Sequence, residues 1–448
     1  MILLFRSLVC IVITVTPLAW PDQAGATCNE KDTRIKPVVQ SASAQARQRA
    51  LLTLRQTVDQ ALVRSHAVGE AALLTEAATI EIDQARASRL PNVSLSLGLE
   101  RGKSEAENAT RYDGVVRRGG LLVQGPLYDG GLSNGLTNWR KNLAQVAQHR
   151  QISLREEIAL QTVSLILERS RFYKQGQVYG QHEKRLHCLQ DALEKIVATD
   201  SGRRSELVQA RKTLQEARLA YQASKTSKTQ VEQRLRRFVG DELPRLEGMT
   251  AVLLETPPLP EVLRDTENAS DLMALQAQSN ASAAYVTTVR SERRPRINWS
   301  VRHGISSGAD RNRDWAAGIN VAVPLFSPGS RHTVDAAVTR ANAAKLRHLD
   351  SQDARRARVT EVYDQAKANE QRLKDIDEIL SNSDKLRRAT RLQWKSLGRR
   401  TLFDVMSAER DHYGLRIAYV DALHDRLQAN ALLRSLGMGV NHWLEPTQ

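Results

Sequence analysis

The sequence is poor in aromatic residues and in the residues that interrupt helices. Phe, Trp and Tyr make up only 4% of the 448 residues, which include 24 glycines and 13 prolines. Ala, Leu, Arg, Gln and Glu dominate the middle of the chain, and most of these side chains lose little rotamer freedom in a helix. This composition argues against a compact enzyme and predicts long helices that pack through small side chains.

The motifs of common catalytic and ligand-binding sites are also missing. The sequence has no nucleophile elbow, Gly-rich phosphate loop, paired carboxylates at strand ends or metal-ligand spacing. His182, His187 and Cys188 lie close together, but their spacing fits no zinc site and indicates a solvated helix face. We therefore expect no enzymatic activity, no cofactor and no metal.

The sequence has no long apolar run, and the short apolar run at its N-terminus is typical of a targeting segment. Arg6 precedes an apolar stretch from Leu8 to Thr16, and Ala24-Gly25-Ala26 fits a small-residue cleavage site. The stretch is too short for a membrane anchor and is followed by Pro17. Residues 1–26 are therefore predicted to be a secretory signal peptide that is removed in the mature protein.

Cysteine is scarce, with three residues in the chain. Cys10 would leave with the signal peptide, so the mature chain would keep Cys28 and Cys188. An oxidising periplasm permits a disulfide between these two. Lipidation of Cys28 is the alternative, although the preceding Gly25-Ala26-Thr27 matches a lipidation box poorly.

The net charge of +15 raises the question of a nucleic-acid partner. No zinc-finger spacing, RNP-like aromatic motif or compact basic helix accompanies this charge. Long, solvated, Arg-rich helices account for it more simply. We expect no nucleic-acid binding.

The chain contains two copies of one unit. Three pairs of landmarks recur about 200 residues apart, which is the mark of an internal repeat. They are Pro91 and Pro295, Pro126 and Pro324, and Gly202 and Gly398. The predicted organisation is an N-terminal segment (27–50), a first repeat (51–254), a Pro-rich linker (255–269) and a second repeat (270–448).

Each repeat is predicted to contain a helical stretch, two strands joined by a polar loop, and a long helical run. The helical stretches are expected at 52–88 and 270–292. The strands alternate apolar and polar residues and are expected to be about 9–11 residues long, enough to cross a bilayer when tilted. Their apolar sets are Val93, Leu95, Leu97 and Leu99; Leu121, Val123 and Leu127; Ile297, Trp299, Val301 and Ile305; and Ile319, Val321, Val323 and Leu325.

The long helical runs have almost no breaks. Residues 331–397 contain neither Gly nor Pro, and a helix of this length would extend roughly 100 Å. In the first repeat the unbroken run is 136–175, and Gly176 and Gly180 interrupt it mildly. A coiled-coil seam is predicted at Val359, Val362, Ala366, Leu373, Ile376 and Leu380, with Asn369 as a polar break.

Four strands among so many helical residues cannot form a soluble sheet with a covered face. They can form a stable sheet if several subunits each contribute four strands to one closed barrel, since closure removes every strand edge. The sequence therefore predicts a mainly helical chain with a small β part that is completed by other copies.

These ordered features resemble the TolC-like outer-membrane factors. The resemblance runs from about Leu52 to Leu436 and includes the segment 398–409, which looks like the family's hairpin tip. It implies a homotrimeric 12-stranded outer-membrane barrel, four strands per protomer, continued by a helical coiled-coil tunnel across the periplasm. It also implies contact with outer-membrane lipid, a periplasmic adaptor and an inner-membrane pump, and an exported protein or small molecule as cargo.

The resemblance further implies a periplasmic gate at the hairpin tips. Asp404 matches an acidic ring residue, Arg400 a basic gate-linking residue, and Glu206 the acidic position of the first repeat. The remaining tip residues are candidates for adaptor contact: Gly202, Arg203, Arg204, Gly398 and Arg399. The simpler interpretation makes all of them solvated turn and helix-cap residues.

Two cargoes fit a channel of this kind. The basic net charge favours the exit duct of a type I secretion system, in which an ABC transporter supplies an unfolded acidic protein. The alternative is the outer-membrane component of a multidrug efflux pump. A periplasmic adaptor or coiled-coil structural protein is the alternative of another class, but two hairpins without β-rich flanks do not favour it.

Overall fold

The computed structural model describes residues 44–106, 109–246, 248–307, 311–397 and 399–445. Within these ranges the chain is mainly helical and carries one small antiparallel sheet. Its elements in chain order are α1 (Ala44–Arg64), α2 (His66–Ala87), β1 (Asn92–Ala106), β2 (Ala109–Tyr128), α3 (Leu132–Thr199), α4 (Arg204–Val239), α5 (Met249–Val252), α6 (Leu259–Thr266), α7 (Ser270–Ser291), β3 (Arg296–Ser307), β4 (Arg311–Ala322), α8 (Pro328–Leu397), α9 (Leu402–Leu436) and α10 (Val440–Leu444).

The sheet has the strand order β1-β2-β3-β4, so each strand pairs with its neighbours in the sequence. Val93 pairs with Val123, Val123 with Val301, and Val301 with Ala317, which places these residues in one row across all four strands. The pairing of β2 with β3 joins the two repeats. The fold class expected from the sequence is confirmed.

The alternation of side chains gives the sheet one apolar and one polar face. The β1 residues Val93, Leu95, Leu97 and Leu99 lie on the apolar face and are 64–80% exposed in the single chain. Ile319 and Val321 of β4 lie on the same face and are also exposed. The faces are those predicted except at the end of β2, where a register shift after Pro126 pairs Tyr128, and not Leu127, with Ile297 of the apolar face. The described residues leave the apolar face uncovered.

The strand lengths differ from the prediction. β1 has 15 residues and β2 has 20, because their pairing continues through Arg101 and Val115 into the region predicted as a polar loop. A polar composition does not stop a two-stranded ladder, since the ladder rests on backbone hydrogen bonds. β4 ends earlier than predicted, at Ala322, so Val323 and Leu325 lie outside it. Pro324 supplies the reason, because it has no N–H to donate to a ladder.

The helical stretch predicted at 52–88 is two helices. Ser65 separates α1 from α2, and its hydroxyl accepts a hydrogen bond from the Val68 N–H at 3.4 Å. Serine is a favoured N-cap residue because this bond satisfies a free donor of the first turn. The segment predicted as a Pro-rich linker contains α6, whose Val262 is buried.

The turn from β2 into α3 depends on glycine and aspartate. Gly130 and Gly131 have φ values of 67° and 90°, which side chains with a Cβ rarely adopt. The Asp129 carboxylate accepts the Gly131 N–H at 2.9 Å and the Ser133 N–H at 2.8 Å. The sequence Asp-Gly-Gly therefore forms the turn between β2 and α3 and caps the long helix that follows.

The long helices are confirmed, with 68 residues in α3 and 70 in α8. α3 continues through Gly176 and Gly180 without a break. A Cβ at Gly176 would lie 3.2 Å from the Ser224 hydroxyl, and one at Gly180 would lie 3.4 Å from the Tyr221 ring. These glycines thus let α4 approach α3 closely.

The described residues form two compact units. One, called the hairpin unit below, contains described residues of 174–226 and 379–417, and the other contains described residues of 44–173, 227–378 and 418–445. In the second, the predicted seam residues Val359, Val362 and Ala366 are buried and pack with Ala429 and Leu433 of α9. Leu373 and Ile376 are buried as well. Among the described residues, no helix is both long and apolar enough to cross a membrane.

Candidate functional site

The first hairpin tip is a short turn between α3 and α4. Asp200 follows the end of α3, and its carboxylate accepts a hydrogen bond from the Gly202 N–H at 3.0 Å. Residues Ser201–Arg203 form a single 3-10 turn, and Arg204, which is exposed, begins α4. The tip is therefore held by its own backbone and by one aspartate.

Glu206 lies in the first turn of α4 and is paired within the same tip. Arg203 donates to both of its carboxylate oxygens, at 3.2 and 2.9 Å. The carboxylate also lies near the positive end of the α4 dipole, where a negative charge is favourable. The predicted gate residue Glu206 and the predicted adaptor-contact residue Arg203 thus neutralise each other locally.

The second hairpin tip lies between α8 and α9. Gly398, predicted to contact an adaptor, lies outside the described residues. Arg399 donates its backbone N–H to the Gln393 carbonyl at 3.3 Å, and its side chain is exposed. The Arg400 guanidinium donates to the Gln393 side-chain oxygen at 3.2 Å.

Asp404 forms a reciprocal cap with Thr401 at the start of α9. Its carboxylate accepts the Thr401 N–H and the Thr401 hydroxyl, both at 3.0 Å, and its own N–H donates back to that hydroxyl at 3.3 Å. The backbone N–H of Thr401, its hydroxyl and the charge of Arg400 hold the pKa of Asp404 below its usual value. Asp404 is therefore an ionised helix cap at an exposed tip.

The two tips share one small core, which brings the predicted residues into the same region. Leu193 of α3, Leu207 and Ala210 of α4, and Leu402 and Met406 of α9 are buried together. Glu206 directly precedes the core residue Leu207 in the sequence, and Asp404 lies two residues after the core residue Leu402. The core thus positions both acidic residues at the ends of packed helices.

A buried ionic cluster lies behind the tips and was not predicted. Glu409 is 2% exposed and accepts a hydrogen bond from Arg387, which is 4% exposed, at 3.2 Å. Arg185 of α3 lies 4.0 Å from the other Glu409 oxygen, and Asp384 accepts from Arg387 at 2.8 Å. This Glu409 cluster (Arg185, Asp384, Arg387 and Glu409) links three helices of the hairpin unit.

An aromatic layer follows the Glu409 cluster along the same helices. The His182 ring stacks on Tyr413 at 4.5 Å, and the Arg416 guanidinium lies 5.2 Å from the Tyr413 ring and donates to Gln181 at 2.6 Å. The His182 Nε2 atom is buried and has no hydrogen-bond partner. Burial first, and then the nearby charges of Arg416 and His412, lower the pKa of His182 to about 4.

Sequence patterns did not reveal these clusters because apolar periodicity says nothing about buried charge. One signal was available. Arg387 and Glu409 are 22 residues apart, and Gly398 is at the midpoint between them. In an antiparallel hairpin, residues equally far from the turn face each other, so an Arg and a Glu at such positions indicate a pair.

The histidines and the cysteine that were considered as metal ligands have other roles. His182 stacks on Tyr413, and His187 lies 3.0 Å from the Asp191 carboxylate. Cys188 is disulfide-bonded, and the other two cysteines, Cys10 and Cys28, lie outside the described residues. No group of metal-binding side chains occurs in the described part of the chain.

Comparisons with known structures show the same architecture. CusC aligns with 87% of this chain and 92% of its own length, with a TM-score of 0.79 and 16% identity. VceC of Vibrio cholerae aligns with 89% of this chain and 99% of its own length, with a TM-score of 0.76 and 17% identity. CmeC of Campylobacter jejuni aligns with 96% of this chain and 94% of its own length, with a TM-score of 0.76 and 15% identity. CusC and CmeC are described as channels and VceC as an outer membrane protein, and the chain shares their fold.

Sequence comparison gives the family. Among curated protein sequences, none matches the chain. The sequence model of the family described as outer membrane efflux protein matches residues 57–241 and 265–437, one segment in each repeat. The chain therefore belongs to the outer membrane efflux protein family.

Proposed function

We propose that three copies of this chain close their sheets into one barrel and form an export duct across the outer membrane. The sheet itself carries this proposal. β1 and β4 are its edge strands, and they have 15 and 12 residues. An exposed edge of that length would invite aggregation in water and leave backbone groups unsatisfied in lipid. Pairing β1 of one copy with β4 of the next satisfies both edges.

The two faces of the sheet support the same arrangement. In an outer-membrane barrel, apolar side chains face lipid and polar side chains face the lumen. The exposed apolar face of this sheet provides the first and the opposite face the second. The opposite face includes Asn92, Ser94, Ser96, Asn298 and Ser300.

The helices extend the duct into the periplasm in this proposal. With 68 and 70 residues, α3 and α8 each reach roughly 100 Å at the usual helical rise. A periplasmic adaptor and an inner-membrane pump would then meet the hairpin tips. Arg204 and Arg399 are exposed basic residues at the tips and suit adaptor contact.

The hairpin tips form the entrance in this proposal. Three Asp404 side chains would form an acidic ring, because the low pKa keeps each carboxylate ionised. Glu206 contributes less to such a ring, since Arg203 balances its charge. The Glu409 cluster would keep the tips closed by linking α3, α8 and α9 within each protomer.

Small toxic compounds are the cargo that the sheet favours. Among its described side chains, the polar face carries Glu100, Asp314, Arg118, Arg296 and Arg302, so its charges nearly balance. Glu100 and Arg118 also pair at 3.1 Å. A nearly neutral barrel lumen does not steer an acidic protein, and the family's description as an efflux protein agrees with this cargo.

Type I secretion is the second candidate, and the net charge of +15 favours it. That charge would have to lie along the helical part of the duct to attract an acidic polypeptide. The two cargoes call for different pumps, which gives a direct test.

Deletion of the gene separates the two cargoes. We expect loss of resistance to small toxic compounds, measured as minimal inhibitory concentrations, with unchanged secretion of large acidic proteins. Complementation with the wild-type gene is the control. Loss of a secreted protein without any change in resistance would establish the second candidate, and no change in either would refute the proposed duct.

Two substitutions at Asp404 separate the effect of its charge on the proposed ring from the effect of its hydrogen bonds on the start of α9. Asp404→Asn keeps an oxygen that can accept the Thr401 hydrogen bonds and removes the charge, whereas Asp404→Ala removes both. Both variants should lower cation selectivity in single-channel recordings, and the alanine variant alone should increase hydrogen exchange at the start of α9. Unchanged selectivity in both variants would remove Asp404 from the entrance.

Glu409 tests the closing role of the buried cluster. Glu409→Gln leaves Arg387 and Arg185 with less counter-charge, and breaking a buried pair in this way costs about 3 kcal/mol. We expect a several-fold higher single-channel conductance and faster hydrogen exchange in 379–417. Glu194→Gln is the matched control, because Glu194 pairs with Arg211 at an exposed site. Equal behaviour of the two variants would contradict a closing role.

His182 gives the hairpin unit an acid sensitivity. The pKa of His182 is about 4 in the folded protein and near 6.5 when the residue is unfolded. Protonation therefore favours the unfolded form, and the stability of the hairpin unit falls as pH drops below 6.5. The loss at pH 5 is about 2 kcal/mol. His182→Phe keeps the ring on Tyr413 and should reduce this loss, as measured by hydrogen-exchange protection of α3 at pH 7.5 and 5. His187→Gln, at an exposed site, should not reduce it.

A further inference from the structure

The apolar face of the sheet carries a row of arginines at the ends of β3 and β4 farthest from the helices, beyond which only β1 and β2 continue. Arg117 pairs with Ser307, and Ser307 pairs with Arg311, so these residues form one row across β2, β3 and β4. Arg313 lies on the same face, two residues nearer the apolar band. All three arginine side chains are exposed.

The spacing of these arginines suits one polyanionic group. Neighbouring strands lie about 4.8 Å apart, which places the Cα atoms of Arg117 and Arg311 about 10 Å from each other. Arg313 lies about 7 Å along the strand from Arg311. Their long side chains can therefore converge on a single headgroup.

This part of the face has a net positive charge. Among the strand residues whose side chains the structure describes (92–101, 114–128, 296–307 and 311–322), the apolar face carries no carboxylate. Glu100, which is nearby, lies on the polar face and pairs with Arg118. Arg101 of β1 lies two residues beyond Leu99, which pairs with Arg117, and it has an interaction partner of its own. The positive charge of Arg117, Arg311 and Arg313 therefore remains on the apolar side.

The position of the row along the strands matches the boundary of a membrane. Arg313 and Val321 are eight residues apart on β4, about 26 Å along the strand and about 20 Å along the membrane normal at a tilt of about 40°. The apolar band of an outer-membrane barrel is about 25 Å high. The guanidinium groups thus lie at the level of the lipid headgroups, where a charged side chain costs little.

The row occurs at one end of the face only. At the helix end, the same face presents Val93, Val123, Ile297 and Val321, and it carries no charged residue within the described strands. With the helices in the periplasm, the arginine row faces the outer leaflet. A basic row at a single boundary indicates that the lipids of that leaflet carry anionic headgroups.

We propose that Arg117, Arg311 and Arg313 bind the phosphorylated headgroup of an outer-leaflet lipid, an inference that rests on the barrel of the proposed function. Arginine suits this ligand because its planar fork can donate two hydrogen bonds to one phosphate. Trp315 lies beside Arg313 on the same face and is 76% exposed. Its ring packs against the lipid just below the headgroup, as interfacial aromatic residues do.

Lipid binding to the intact assembly tests this proposal. Native mass spectrometry would measure retention of phosphatidic acid and of diacylglycerol by the wild type, by the double variant Arg117→Gln/Arg311→Gln and by Arg118→Gln/Arg302→Gln. The last is a matched control with the same charge change on the polar face. We expect the wild type to bind phosphatidic acid at least tenfold more tightly than diacylglycerol. The first variant should lose at least fivefold of this affinity and the control variant none.

Three results would overturn the proposal. They are equal loss in both double variants, no loss in either, and displacement of the lipid by millimolar inorganic phosphate, which would indicate a site for free anions. Arg311→Gln alone replaces the double variant if the latter fails to assemble on a gel. Retention of lipid without headgroup preference refutes the inference alone, whereas retention of no lipid by the wild type refutes the barrel itself.

Discussion

The narrow apolar contact between antiparallel helices is the interaction on which the rest of the structure depends. A helix as long as α8 gains little from propensity alone and needs a continuous packing partner. α9 supplies one, since Val359, Val362 and Ala366 of α8 are buried against Ala429 and Leu433. Each fully buried Val or Leu contributes roughly 1.5–3 kcal/mol, so a single line of such contacts stabilises a long hairpin. Small side chains keep that line narrow and leave both flanks of each hairpin available for contact with other copies.

Apolar packing between helices also explains why a buried charge affects the stability of the hairpin unit. The Glu409 carboxylate occupies a position between helices where an apolar side chain would otherwise pack. A buried ion pair of this kind adds little net stability, but it becomes costly when one partner is lost. Arg387 and Arg185 therefore fix the register of α8 and α3 against α9 more than they strengthen the unit. An arrangement that is specific yet only weakly stabilised would suit the proposed entrance, which has to open.

The sheet obeys a second constraint, which is the satisfaction of backbone hydrogen bonds. Its strands alternate cleanly enough to separate an apolar from a polar face, and its order β1-β2-β3-β4 leaves the first and last strands at the edges. In the proposed barrel, pairing with other copies would satisfy the open edges, and lipid would cover the apolar face. In that barrel, the arginine row would mark the height at which the apolar face leaves the lipid interior.

The periodic features of the fold follow from the order of the amino acids. The absence of Gly and Pro from 331–397 gave α8, the spacing of Val359 and Val362 gave its buried side, and the alternation from Val93 to Leu99 gave the face of β1. The partners of the charged residues are visible only in the folded chain: Glu206 pairs with Arg203, Asp404 caps α9, and Glu409 is buried with Arg387. The reason is physical, because periodicity is set by the geometry of one element. The environment of a charge is set by side chains that packing brings together from distant parts of the chain.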